Sequence, residues 1–455
     1  MASRRTSATT AGVLRGPERV ASTSVRSSPL SVTPICYSIY AGLSTQEPKC
    51  PRQTPLPVEA HSSRQRSAPV VLSLLGLAWL AALNGRGPTL SLGPLLPLVQ
   101  HDLGMASSVA GFATSLPVIL MGLMAIPGGL LVDRAGPGRA LAIALFAIGL
   151  GGWARAFVSG PAGFLGATLV LGSGVAAMQA ALPAVARAAL PERPGLATAV
   201  YFNGLTLGVF AGTALVPLLL AWSGQAGWRG VFGFWGAYGL ACGALWAAAS
   251  RQVAHAQAGS RSTGGVLADI RAAWQLPGFP ATVVAFGAQS AVFYAFVGWL
   301  PSELVRQGWA VPQTSGPAAM VAAGALAAGF GTPALTDLVG RRAVLLGAGL
   351  VTTLAVAGVL VAPSQAAWLW AFLAGFGTTV AFGVALALPA ELAPPERVGS
   401  TAGTLLTLGY VLSSLGPLPV GILLDLTGST RPGWAYILLV ALALTAAAAR
   451  TPSRR

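Results

Sequence analysis

The chain has 455 residues, of which 54% are hydrophobic and only 9% charged, with a formal net charge of +15 and a mean hydropathy of +0.70. A soluble domain carries about 25% charged residues, so composition excludes one and indicates a multi-spanning, all-α membrane protein. The excess charge does not indicate nucleic acid, because the arginines are dispersed through short loops and form no basic patch with interleaved aromatics.

Residues 1–66 are rich in Ser, Thr, Arg and Pro, with seven Arg or Lys before His61 against Glu18, Glu47 and Glu59. Nothing there can bury a core, so a disordered basic N-terminal region is expected. A cleaved transit peptide, or a misassigned start, are the alternatives. Cys36, Cys50 and Cys242 lie too far apart for a disulfide framework or a metal site, and no cofactor or metal is expected.

From Val70 onward apolar runs alternate with short polar breaks. The pattern predicts twelve spans, at about 70–99, 105–132, 140–158, 163–188, 197–221, 230–249, 279–304, 315–335, 343–362, 367–390, 400–425 and 433–449. This divides the chain into a six-helix half over 70–249, a linker over 250–277, a second half over 279–449 and a tail over 450–455. Counted from residue 60, fifteen loop arginines fall on one side, while the other side holds only Arg155, Arg229, Arg306 and Arg431. The excess puts both termini, the linker and the tail in the cytoplasm of a plasma-membrane protein. Arg155 falls near the outer end of span 3, where snorkelling would accommodate it.

An internal repeat supports the halving. Asp133 and Asp337, Glu192 and Glu396, and the Leu96-Pro97 and Leu300-Pro301 pairs are all separated by 204 residues. Two pseudo-symmetric halves related by an axis along the membrane normal follow, an arrangement suited to alternating access around a site at mid-depth.

Span 1 carries the least expected residue. Arg86 lies about halfway along its apolar run, where an arginine costs roughly 2.5–3.5 kcal/mol on insertion scales and should face a cavity or partner. Gly85, Gly87, Pro88, Gly93 and Pro94 loosen or break the helix around it. Adding the repeat offset to Arg86 gives Ser290, so these two should lie at similar depth. Gln289 adjoins Ser290, and Tyr294 shares its helix face four residues on. Arg86, Asn84, Gln289, Ser290 and Tyr294 are therefore candidate substrate contacts, joined by Gln179 in span 4 and Tyr201 and Asn203 in span 5. Thr378, Thr379 and Tyr410 are further polar positions in apolar helices, where packing is the commoner use.

Two loops carry the recognisable motifs. Gly129-x-Leu131-x-Asp133-Arg134-x-Gly136, followed by Arg139, lies between spans 2 and 3, and Leu335-x-Asp337-x-x-Gly340-Arg341-Arg342 lies between spans 8 and 9. An acid there can accept hydrogen bonds at a helix N-terminus and the arginines can pair with carboxylates, latching a gate. Together with Glu192, Arg193, Glu396 and Arg397 these are the candidate gating residues. The paired motif resembles the signature of the major facilitator superfamily, from which Pro137, Gly138 and Leu338 depart. Asn84-Gly85-Arg86, Gly93-Pro94-Leu95-Leu96-Pro97, Thr114-Ser115-Leu116-Pro117, and Gln289 to Tyr294 with Trp299-Leu300-Pro301 are similar to the cyanate permease and 2-nitroimidazole transporter branch. The resemblance covers about residues 70–449; Pro88 stands one residue later than that branch leads one to expect.

What the resemblance implies is a secondary active or facilitative transporter of a small anion or small polar solute of the cyanate, nitrite or nitroimidazole kind. Arg86 would be the counter-charge. A membrane-embedded enzyme is disfavoured, since no histidine falls inside a span and no paired intramembrane carboxylates occur. A non-transporting sensor of the same fold, or an exporter of a drug-like compound, is the alternative. No Asp or Glu falls at mid-membrane, so transport is uncoupled, or the proton travels with the substrate, or other groups couple it. The expected partners are the small-molecule substrate and the bilayer, with no nucleic acid, and the expected state is a monomer.

Overall fold

The structure is a computed structural model that describes residues 68–249 and 265–451. The N-terminal region over 1–66, the first part of the linker and the end of the tail lie outside the described residues. Among the described residues every regular element is helical, and each predicted span has its helix. Span 1 is broken into α1 (Ala68–Leu90) and α2 (Leu92–Leu103), and span 2 into α3 (Ser107–Leu123) and α4 (Ala125–Ala135). Spans 3 and 4 are α5 (Pro137–Arg155) and α6 (Pro161–Ala189). Span 5 is α7 (Pro194–Ala214) followed by the short α8 (Val216–Ser223), and span 6 is α9 (Gly227–Ala249). The linker carries α10 (Val266–Trp274). Spans 7 to 9 are α11 (Phe279–Arg306), α12 (Val311–Val339) and α13 (Arg341–Val361). Span 10 is α14 (Ala367–Ala387) with the one-turn α15 (Pro389–Leu392). Span 11 is α16 (Val398–Ser413) and α17 (Pro417–Thr427), and span 12 is α18 (Arg431–Arg450).

Length and apolarity alone single out fewer crossings. Among the described residues ten helices qualify, or eleven when α3 is joined to Pro127–Ala135 across a 58° bend. The segment outside that count is α1–α2, which carries Arg86 and is broken at Ser91. Pro94 accounts for the break, since it cannot donate the hydrogen bond to Leu90 O that a continuous helix needs, and Pro88 leaves the Asn84 carbonyl without its donor one turn earlier.

The repeat is visible in the backbone. Gly136 and Gly340, at the 204-residue spacing, precede α5 and α13 with φ of 82° at both and ψ of 155° and 151°. That positive φ is open to glycine at no steric cost, so the same turn re-enters the bundle in both halves.

Two packing features position the interior. Gly204, Gly208 and Gly212 form one stripe on α7, and a Cβ at any of them would meet the carbonyl oxygens of Trp79, Leu83 and Gly87 on α1 respectively. The two backbones touch directly, as small residues permit in a membrane. At the end of the bundle remote from the Asp133 and Asp337 loops, the halves close on each other. The Asp425 carboxylate, at the end of α17, accepts hydrogen bonds from the backbone N–H groups of Ser107 (2.8 Å) and Ser108 (2.7 Å) at the start of α3. Trp299 Nε1 of α11 donates to Pro417 O at 2.9 Å, and Gly93 of α2 lies against Val297 of α11.

Candidate functional site

Between the halves lies a cavity of about 450 Å³. The first half contributes Arg86 from α1, Gln179 from α6 and Phe202, Leu205, Thr206 and Val209 from α7. The second half contributes Gln289, Ser290, Phe293 and Tyr294 from α11, Thr332 and Thr336 from α12, Arg341 from α13, Thr379 and Phe382 from α14, and Tyr410 from α16. It therefore extends from Arg86, about one turn before the break in span 1, to Arg341, the first residue of α13. Among the described residues its wall holds two arginines and no carboxylate.

Arg86 and Ser290, paired by the repeat offset, both line this cavity. The Arg86 guanidinium donates to the Tyr294 hydroxyl through Nη1, a hydrogen bond between the halves. Gln289 Nε2 donates to Ser290 Oγ at 2.5 Å, which leaves the amide oxygen and the serine hydroxyl hydrogen for other partners. Aromatic rings bound the space: Phe202 of α7 meets Phe382 of α14 at 6.4 Å between centroids, and Phe286 packs against both Phe382 (5.4 Å) and Tyr410 (5.3 Å). The chamber thus offers a fixed positive charge, a few hydroxyl and amide groups, and flat apolar walls. That combination suits a small anion or a small planar polar molecule.

Of the eight candidate substrate contacts, Arg86, Gln179, Gln289, Ser290 and Tyr294 are brought together and three are not. Asn84 is fully buried against Gly239 of α9, and neither amide atom has a hydrogen-bond partner among the described residues. Tyr201 is buried with its ring against Phe202. Asn203 is exposed, and its Oδ1 accepts from Trp79 Nε1 at 2.9 Å, tying α7 to α1. The helices are apolar all round, so spacing alone does not say which face a single polar residue occupies. Thr332 and Thr336 were missed, although their four-residue spacing places them on one face of α12.

The gating candidates are mostly solvent-facing. Asp133, Arg134, Arg139, Glu192, Arg193, Asp337, Glu396 and Arg397 are exposed, and none of them joins an ion pair among the described residues. Arg342 Nη2 donates to Ala449 O at 2.6 Å. Arg341 pairs with Glu391 of α15, an acid that the motif reading did not single out. Its first-half counterparts at the 204-residue offset are Pro137 and Arg187, so this ion pair has no equivalent there. The acid-to-helix-end contact anticipated for the motif loops is made at the opposite end of the bundle, by Asp425.

Arg155 does not snorkel. Its side chain is fully buried, with Nη1 donating to Pro88 O (3.0 Å) and Nε to Thr168 Oγ1 (3.0 Å). The guanidinium carbon lies 5.1 Å from the Phe164 ring and 5.3 Å from the Phe232 ring. Aromatic faces from α6 and α9 give the cation a lower-energy seat than a stretched path to the surface would. Its outer-side companion Arg229 behaves conventionally, pairing with Asp102 and lying over Trp228. That contact holds the Asp102 carboxyl below the ordinary carboxylate range.

Residues 74–417 match the Major Facilitator Superfamily. The chain belongs to that family. It is 28% identical to the cyanate transport protein CynX of Escherichia coli (strain K12) over 377 residues, which cover 82% of this chain and 94% of that protein. It is also 28% identical to the 2-nitroimidazole transporter of the same organism over 342 residues, covering 74% of this chain and 84% of that one. Among solved structures, a bacterial homolog of the human lysosomal transporter Spinster, in an inward-facing and unoccupied conformation, aligns with a TM-score of 0.71 at 17% identity. That alignment covers 85% of this chain and 97% of the other. The xylose transporter XylE from E. coli, in an inward open conformation, aligns with a TM-score of 0.67 at 14% identity, with the same coverage of each chain. At these identities the structural likeness concerns the fold. The protein is a multi-pass membrane transporter of a small molecule, and not an enzyme.

Proposed function

We propose that this transporter carries a small anion or a small polar solute of the cyanate, nitrite or nitroimidazole kind by alternating access, with Arg86 as the substrate's counter-charge. The observation that carries the reading is the charge of the cavity: Arg86 lines it, no acid does so among the described residues, and the other lining arginine, Arg341, is already met by Glu391. A desolvated guanidinium binds a small anion far more strongly than an exposed one, because the local dielectric is low and the charge cannot be screened. In this reading the Tyr294 hydroxyl occupies Arg86 when substrate is absent, and an incoming anion takes its place or bridges the two. Ser290 and Gln289 complete the shell, and a coupled proton travels on the substrate as its neutral acid. Arginine asymmetry puts the motif loops and the residue 250–277 linker on the cytoplasmic side of the plasma membrane. The described state is then inward-facing, closed on the outside by Asp425, with the halves over 70–249 and 279–449 rocking about the site and the chain acting as a monomer.

The aromatic walls support a second substrate form. Phe202, Phe293 and Phe382 suit a flat neutral ring, and a nitroimidazole would place its nitro oxygens, which carry partial negative charge, at Arg86. The deciding experiment is uptake of labelled cyanate, nitrite and 2-nitroimidazole into proteoliposomes, with and without a proton gradient. Saturable uptake of at least one is expected; if none moves, the substrate reading fails and only the family assignment stands.

A further inference from the structure

Arg155 is fully buried, and the two ion pairs among the described residues do not include it. Transport as outlined above makes no use of it. One of its contacts nevertheless reaches an atom with a special place in the fold, the carbonyl oxygen of Pro88. The last four carbonyls of an α-helix have no intrahelical partner, and α1 ends at Leu90, so the carbonyls of Gly87 to Leu90 must find others. Gly87 O receives Ser91 N at 3.1 Å. Pro88 O receives Arg155 Nη1 at 3.0 Å, and Ser91 Oγ only at 3.4 Å. A cation at a helix C-terminus also complements the helix dipole.

The guanidinium is held from three sides. Thr168 Oγ1 accepts from Nε at 3.0 Å and in turn donates to Phe164 O at 2.7 Å, and the Phe164 and Phe232 rings flank the group. Helices α5, α6 and α9 thus fix the position of a single carbonyl of α1. Pro88 is two residues from Arg86, and on the opposing seam a Cβ at Gly208 of α7 would lie 3.1 Å from the Arg86 Cβ. Arg86 lies between these two contacts.

We infer that Arg155 is a positioning residue: it caps the broken end of α1 at Pro88 and thereby aims Arg86 across the cavity at Tyr294. The planar guanidinium serves where an ammonium would not, because its fork holds Thr168 and Pro88 at a fixed angle. The consequence for transport rests on the reading of Arg86 as the substrate contact, but the geometry can be tested without any substrate.

The substrate-free test uses membranes containing an Arg86→Cys/Tyr294→Cys protein, with Cys36, Cys50 and Cys242 replaced, and a bifunctional thiosulfonate that spans the two positions. Cross-linking should be fast with Arg155 present. It should fall roughly tenfold with Arg155→Gln and recover in part with Arg155→Lys, less than the roughly hundredfold loss that a misplacement of about 1 Å can bring to a positioned group. Thr168→Val, which removes the Nε acceptor together with the hydroxyl's hydrogen bond to Phe164 O but leaves Nη1 on Pro88 O, should give a smaller fall and serves if Arg155→Gln does not insert. Equal rates in the parent and in both the Gln and Val variants would overturn the inference. On the otherwise wild-type chain, cyanate uptake should show a raised KM and a largely retained maximal rate for Arg155→Lys. Arg86→Gln run alongside keeps the questions apart: normal uptake in that variant removes the substrate reading, whereas the cross-linking rates judge Arg155 alone.

Discussion

Arg86 and Arg155 belong to the same half of the molecule and both act at α1, the first as one of its residues and the second from α5, yet they answer burial in opposite ways. Arg86 lines a cavity and reaches a tyrosine of the other half. Arg155 is sealed into a seam of its own half by two rings, a threonine and a carbonyl. Neither is paired with an acid among the described residues. A charge placed where substrate must reach it needs a partner that can leave, such as a tyrosine hydroxyl. A charge that only holds structure needs partners that cannot leave. The difference between the two environments therefore separates recognition from support.

Substitutions can break that comparison in order of size. Arg86→Ala should abolish uptake while leaving insertion and the melting temperature almost unchanged, read by proteoliposome transport and by thermal unfolding in detergent; retained uptake would sink the site assignment. Gly208→Val should come next, because its side chain must displace the Leu83 carbonyl and the Arg86 Cβ. Overpacking of this kind costs about 1–3 kcal/mol, so both stability and uptake should fall. Arg155→Ala should differ from Arg86→Ala in lowering the melting temperature as well as weakening uptake, through loss of about 2–5 kcal/mol of packing. Arg155→Met should restore most of that stability without restoring the Arg86 geometry, since an apolar side chain of similar volume often replaces a buried charge at little cost. The smallest effect belongs to Arg229 at the surface. Asp102 is held below the ordinary carboxylate range, so its pairing stabilises the protein above that range and is lost as pH falls through the lowered value. The pair is exposed to solvent, so Asp102→Asn should leave the melting temperature essentially unchanged.

Much of this plan is readable from sequence because it depends on spacing. The 204-residue offset anticipates that Arg86 and Ser290 share a depth, and the matching φ of Gly136 and Gly340 shows that the repeat reaches the backbone. What spacing does not convey is the direction a residue faces when the helix around it is apolar on every side. Asn203 and Asn84 looked like cavity residues for that reason, and one turned out to tie α7 to α1 and the other to be buried at α9. Arg155 illustrates a second limit. Its distance along span 3 suggested an inexpensive snorkel, while its actual seat is made by Phe164 and Phe232 from two other helices. Arg341 shows a third: counted as a loop residue, it begins α13 and so reaches the cavity wall.

Asp425 offers an experimental handle on the cycle. In the described state it joins the halves by accepting two N–H groups of α3 across the closed end, while Asp133 in the motif loop is exposed to solvent. Removing the carboxylate with Asp425→Ala withdraws two hydrogen bonds from this state and none from a state in which that end has opened. The variant should therefore spend more of its time with the opposite face accessible. It is the form in which to seek the other half of the transport cycle.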